Sequence, residues 1–177
     1  MINTHNGIKG QLPRIDVNDY PAVKAHLDQF WDKISTRTDK GDTPYNLRNC
    51  AYLGNFLQRK IVWGNLNLEG SYTYVPEGIF INAPSSFVAT TNIAILHILN
   101  SKIADFYIRS LGVTRNGGYF EYKPMFVDKL PIPKQSLASL NKYPAQPTKE
   151  QESEIERIVY SIYGLSQQEI KHIEDGG

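Results

Sequence analysis

The 177 residues read as an α+β protein: a mostly antiparallel small sheet with flanking helices and a C-terminal α-hairpin. Three observations predict this. Between residues 59 and 89 the chain falls into short β-type runs bounded by Gly64, Gly70, Pro76 and Pro84. Apolar residues recur at helical spacing before and after that region. The stretch 148–177 carries two capping-box patterns with an apolar stripe between them.

Met1 to Leu12, with Asn6-Gly7 and Lys9-Gly10, reads as irregular or as a short hairpin. Asn18 or Asp19 is placed to cap a helix that has Pro21 in its first turn. Val23, Leu27, Phe30, Trp31 and Ile34 then share one helical face. That helix fades near Thr36 to Thr38, because Gly41 and Pro44 forbid its continuation. Strands are expected at Lys60–Trp63, Tyr72–Val75, Gly78–Asn82 and Phe87–Ala89. Thr91 or Asn92 caps one apolar helix from Ile93 to about Ser110, with Gly112 as its stop. Met125–Val127 and Leu130-Pro131-Ile132-Pro133 read as short extended pieces, and the prolines place the second at an edge or outside the sheet.

This pattern divides the chain into a domain over residues 1–134, a linker over 135–147 and a helical hairpin over 148–177. In the hairpin, Thr148 pairs with Gln151 and Ser166 with Glu169 as capping boxes. Ile155, Ile158, Val159 and Tyr163 make an apolar stripe that two short helices cannot bury by themselves. The stripe is therefore expected to dock on a partner.

Composition narrows the class. With 41% hydrophobic and 21% charged residues the chain is neither disordered nor fibrous. The lone Cys50 excludes an internal disulfide and a multi-cysteine zinc site, and suits a reducing cytoplasm. No apolar run approaches the roughly 18 residues of a membrane span, and no signal peptide is visible. A cytoplasmic location without a membrane partner is the expectation.

The net charge of +1 hides an uneven distribution. Residues 33–60 carry Lys33, Arg37, Lys40, Arg48, Arg59 and Lys60 against Asp39 and Asp42, and residues 102–134 have a net charge of +3. The tail from 135 onward is net −3. Two basic blocks around a neutral sheet-like region point to one positive face. Eleven tyrosines exceed the needs of a core this size, so some rings are expected at a binding surface.

Catalytic signatures are missing from the sequence. It holds no phosphate-binding loop, dinucleotide fingerprint or GxSxG elbow. His5, His26, His97 and His172 show no metal-ligand spacing, and His97 inside the apolar helix reads as a hydrogen-bonded core residue. Asp39 and Asp42 around Lys40 read as turn formers rather than as a nuclease cluster. No metal site is expected.

Two polar, aromatic loops carry the functional signal instead. In the first, Tyr45, Asn46, Arg48 and Asn49 are base readers or stacking rings, while Arg37, Lys40, Arg59 and Lys60, with Lys33, hold phosphates. In the second, Arg115 and Asn116 are readers, and Gly117 and Gly118 permit close backbone approach or positive φ. Tyr119, Tyr122 and Lys123 add ring faces and a phosphate contact. Taken alone, the second loop reads first as a solvated β-turn, Arg48 equally as a cation paired across the sheet, and Tyr45 and Trp63 as core. A protein-binding scaffold and a self-contained nuclease or methyltransferase stand as alternatives.

Several runs resemble a known family. DKGDTPYNLRNCAY (39–52), RKIVWGNL (59–66), LHILNSKIADFYIRSLG (96–112), GGYFEYKPMFVDKLPIP (117–133) and IVYSIYGLSQQEI (158–170) are similar to the TaqI-like C-terminal specificity domain. That domain is the target-recognition part of adenine-N6 DNA methyltransferases and of type IIG restriction–modification enzymes. The KLPIP close also resembles the end of recognition domains in type I specificity subunits. The resemblance implies a non-catalytic reader of double-stranded DNA. Its partner would be a methyltransferase domain, N-terminal in the same parent or in a separate subunit. S-adenosylmethionine, and Mg²⁺ if a nuclease is fused, would belong to that parent and not to this chain. No NPPY-type motif is present, so the chain reads as a C-terminal piece of a longer enzyme or a stand-alone specificity subunit.

Overall fold

Ile61, Val62 and Trp63 favour an extended backbone, and Lys60–Gly64 forms the central strand of the larger sheet. The computed structural model describes residues 2–133 and 137–176. Lys134 at the end of the expected domain, Gln135 and Ser136 at the start of the expected linker, and the terminal Met1 and Gly177 lie outside the described residues. The chain divides into two compact units, Met1–Gly54 and Asn55–Gly177, so a boundary falls well ahead of the expected linker.

In the first unit, Asp16 rather than Asn18 or Asp19 supplies a cap, accepting from Asn18 N at the head of a single 3-10 turn, Val17–Asp19. Helix α1 (Pro21–Asp28) then starts on Pro21. The expected single helix is interrupted at Gln29 and Phe30, and α2 (Trp31–Thr36) follows. Neither helix buries a residue, and Phe30 and Trp31 are each 43% exposed. Among the described residues of this unit only Thr4, Val17, Asn46 and Leu53 are buried, two of them polar. Hydrogen bonds therefore supply much of what apolar burial does not.

The second unit contains β1 (Lys60–Gly64), β2 (Leu66–Asn67), β3 (Tyr72–Val75), β4 (Ser85–Ala89), β5 (Thr114–Arg115) and β6 (Tyr119–Glu121). They form two three-stranded antiparallel sheets, ordered β3-β1-β4 and β2-β6-β5, where one small sheet was expected. Gly78–Asn82, read as a strand, is a turn and irregular chain with Gly78 at φ +75°. The helices are α3 (Ile93–Leu99), α4 (Lys102–Leu111), α5 (Pro124–Val127), α6 (Lys149–Ile162) and α7 (Gln167–Glu174). Helix α5 replaces the expected extended piece at 125–127, since Pro124 is pre-set for a first helical turn.

The apolar helix expected from Ile93 to Ser110 is two helices, and the reason is specific. Asn100 leaves the helix to bond β3 on both backbone groups of Tyr72: its Oδ1 accepts from Tyr72 N at 2.9 Å and its Nδ2 donates to Tyr72 O at 3.0 Å. Ser101 then caps α4 at Ala104 N. The bend turns α3 and α4 into one core with Ile61, Trp63 and Tyr72 from the sheet. Full burial of such side chains contributes about 1.5–3 kcal/mol each. His97 is buried there, its Nε2 3.4 Å from Tyr143 O, and desolvation lowers its pKa against the opposing effect of that backbone hydrogen bond.

The C-terminal hairpin has both capping boxes, Thr148 with Gln151 and Ser166 with Glu169. Its stripe is not left for a partner. Ile155 and Val159 are buried in this unit's own core, Ile158 and Tyr163 pack against it, and Tyr163 Oη donates to Pro131 O at 2.8 Å. The expected linker also packs: Leu140 and Tyr143 are core residues. Among the described residues no helix is long and apolar enough to cross a membrane.

Leu140 separates a packed segment from a linker. Leu140→Ala is expected to lower unfolding free energy by about 2–5 kcal/mol in denaturant melts, whereas a true linker position would change it by less than about 0.5 kcal/mol.

Candidate nucleic-acid interface

The first candidate loop is built by side-chain amides. Lys40 and Leu47 face each other in an isolated antiparallel bridge, and Gly41 N donates to Asn46 O at 2.9 Å. A Cβ at Gly41 would lie 2.5 Å from Leu47 O and 2.6 Å from Asn6 Oδ1, so the close approach requires glycine. Asn46 is the hub. Its Nδ2 donates to Ile15 O at 2.9 Å and lies 3.4 Å from Thr4 O and His5 O, while its Oδ1 accepts from Thr43 Oγ1 at 2.6 Å. Asn6 straps the outside, donating to Asp42 Oδ1 at 2.9 Å and Asn49 Oδ1 at 2.6 Å. Arg37 braces the same turn through Asn46 O at 2.6 Å and Pro44 O at 3.3 Å.

Above this frame Leu47, Arg48 and Asn49 are exposed. Arg48 has no ion-pair or hydrogen-bond partner among the described residues. Lys40 is exposed, with Nζ 2.8 Å from Ser35 O. Tyr45 is tied down: its Oη donates to Asp28 at 2.6 Å and its ring lies 5.4 Å from that of Trp31.

The second candidate loop, in the other unit, is the β5–β6 hairpin. Arg115 pairs with Tyr119, and Gly117 and Gly118 turn the chain at φ +80° each, a conformation that costs other residues strain. Residues 113–119 are all exposed. The base of the hairpin is firmly mounted. Trp63 Nε1 donates to Tyr122 O at 2.6 Å, and Tyr122 Oη donates to Asp105 Oδ1 at 2.5 Å. Asp105 also accepts from Gly70 N at 2.7 Å and from Arg109 at 3.1 Å.

Three residues expected to touch nucleic acid are instead structural. Asn46 is 1% exposed and spends its amide on backbone carbonyls. Lys60 is fully buried, donating to Phe56 O at 3.0 Å and Pro76 O at 3.4 Å, and burial pushes its pKa down against the opposing effect of Glu77. Tyr122 is buried on Asp105. Arg37 and Tyr45 serve the frame, and Arg59 lies 3.7 Å from Glu77. The exposed candidates that remain are Lys40, Arg48 and Asn49 in one unit and Arg59, Arg115, Asn116, Gly117, Gly118 and Tyr119 in the other, joined by the half-exposed side chain of Lys123.

Sequence reasoning missed Glu121. It takes Arg115 on one carboxylate oxygen and Lys123 on the other, the latter at 2.9 Å. Lys123, then Arg115, hold its carboxyl below the usual carboxylate range. Period-2 alternation from Tyr119 to Glu121 is the signal that places it on Arg115's face. Among the described residues no group of three or more His, Cys, Asp or Glu is placed to hold a metal ion.

Residues 16–132 match the TaqI-like C-terminal specificity domain. The chain belongs to that family. No curated protein matches the chain. The specificity-domain match contains both candidate loops and stops short of α6 and α7.

Two measurements check this geometry. Asn46→Ala removes the side-chain donor to Ile15 O and the acceptor of Thr43 Oγ1, so it is expected to cost about 1–3 kcal/mol in denaturant melts, against less than about 0.5 kcal/mol for Arg48→Ala. Because the Glu121 pKa is depressed, its ion pairs contribute above the ordinary carboxylate pKa and are lost as pH falls through the lower folded value. NMR titration of Glu121 should therefore give a midpoint below 4.5.

Proposed function

We propose that this chain reads a short double-stranded DNA sequence as the target-recognition part of a restriction–modification system and performs no chemistry itself. The observation that carries the reading is the exposed Leu47-Arg48-Asn49 tip standing on a frame of buried amide hydrogen bonds, in a chain of the specificity-domain family. An unpaired arginine held on a rigid mount suits bidentate recognition of guanine, and asparagine suits adenine. Lys40 and Lys33 are exposed cations suited to phosphate.

The partner in this reading is a methyltransferase domain specific for adenine, in the same parent or a separate subunit. S-adenosylmethionine belongs to that partner, as does Mg²⁺ where the parent carries a nuclease of the type IIG kind, and the setting is the cytoplasm. Protein docking coexists with DNA reading: Tyr20, Phe30 and Trp31 around α1 and α2 are exposed apolar rings of the kind enriched at interfaces. The docking role expected of Ile155, Ile158, Val159 and Tyr163 passes to such residues, because Ile155 and Val159 are buried and Ile158 and Tyr163 pack against the same core.

Selection from a randomised duplex pool at low salt tests the reading. Wild-type chain should enrich a short motif. Arg48→Ala should lose about 1–3 kcal/mol of discrimination at one base pair, while Lys40→Ala weakens every sequence alike. No enrichment, or turnover of duplex by the chain alone with Mg²⁺ and S-adenosylmethionine, contradicts it.

A further inference from the structure

Glu121 does more than neutralise the hairpin. Its side chain is only 7% exposed, yet the two cations it holds stand in solvent, Arg115 at 54% and Lys123 at 45%. Strand register places Arg115 opposite Tyr119 and Leu66 opposite Glu121, so these four share one face. Leu66 and Tyr119 flank the carboxylate with apolar surface while remaining 49% and 40% exposed themselves.

Ion pairs at a surface contribute little to stability, and taking a carboxylate out of water opposes folding. What this arrangement supplies is direction. Arginine carries five N–H donors in a planar fork. Glu121 Oε1 accepts from Nε at 2.6 Å and also from Nη2. The guanidinium is thereby fixed in its plane, and the donors left over, both on Nη1 and one on Nη2, point away from the carboxylate. That remaining two-nitrogen edge has the spacing of the O6 and N7 acceptors of guanine in the major groove. A phosphate anchor gains from a free charge and needs no such alignment. Pairing Arg115 with a carboxylate weakens it as an anchor and sharpens it as a reader.

We propose that Glu121 is a specificity-determining positioning residue, clamping Arg115 so that its outer guanidinium edge meets one guanine and restraining the hairpin from holding DNA of any sequence. This rests on the DNA-reading function proposed above.

The test is base-resolved selection and salt titration of the 177-residue chain and its variants. Glu121→Leu removes both acceptors and suits the apolar surroundings. It should lose about tenfold of the guanine preference, at the same position that Arg115→Ala loses. It should also bind random duplex more tightly, with a log–log salt slope steeper by about one. Lys123→Met keeps the clamp, so it should retain the guanine preference while weakening all sequences. Should Glu121→Leu fail to fold, Arg115→Lys decides: it keeps the charge without the fork, and is expected to lose the same preference about tenfold. Unchanged guanine preference in Glu121→Leu or Arg115→Lys overturns the proposal, as does a uniform loss across sequences in Arg115→Ala. Wild-type chain with preferences elsewhere but none for guanine at an Arg115-dependent position also overturns it. If wild type has no base preference at all, the DNA-reading function itself falls.

Discussion

One buried carboxamide carries the exposed face of the first unit. Asn46 reaches Ile15 O and Thr43 Oγ1 from a position with almost no contact with water, and its own backbone carbonyl receives Arg37. A unit whose described buried apolar residues are Val17 and Leu53 has little hydrophobic burial to draw on. In such surroundings an unmade hydrogen bond is costly and a made one is strong, so the amide fixes a single loop conformation. The tip at Leu47–Asn49 can then be exposed and still rigid. Recognition loops need that combination, because side chains that must be ordered on binding lose affinity to entropy.

The second unit reaches the same end by different means. Its hairpin stands on an apolar core, and Trp63, Tyr122 and Asp105 join β1, the hairpin base and α4 in one hydrogen-bonded chain. Asn100 repeats the amide device, closing the edge of β3 where a continuous helix would have passed it by. Glu121 extends this logic outward to the exposed face of the hairpin: a nearly buried acid holds two cations that stand in solvent. In both units, then, buried polar groups position solvent-facing ones.

Much of this was legible from residue order, and the exceptions have a common cause. The capping boxes at Thr148 and Ser166, strands β1 and β3, the stop at Gly112 and the core role of His97 depend on local chemistry or on a clear period. The break at Asn100 was hidden because Ile93–Leu99 and Ile103–Ile108 fit one continuous helical stripe. Only a partner 28 residues away reveals it. Asn46, Lys60 and Tyr122 were read as exposed because their types are common at nucleic-acid surfaces, yet each is buried on acceptors distant in sequence or contributed by the backbone. Leu140 and Tyr143 sit among prolines and polar residues that resemble a linker, and only the core they fill shows otherwise. Residue composition marked out the two loops in the chain but did not distinguish frame residues from tip residues.

Hydrogen–deuterium exchange of the chain, alone and with the duplex enriched by selection, tests the central claim most directly. The account predicts slowed exchange at residues 46–49 and 114–121, with α6 and α7 unchanged. Protection confined to α1 and α2, or to the C-terminal helices, with both tips exchanging as in the free chain, would contradict it.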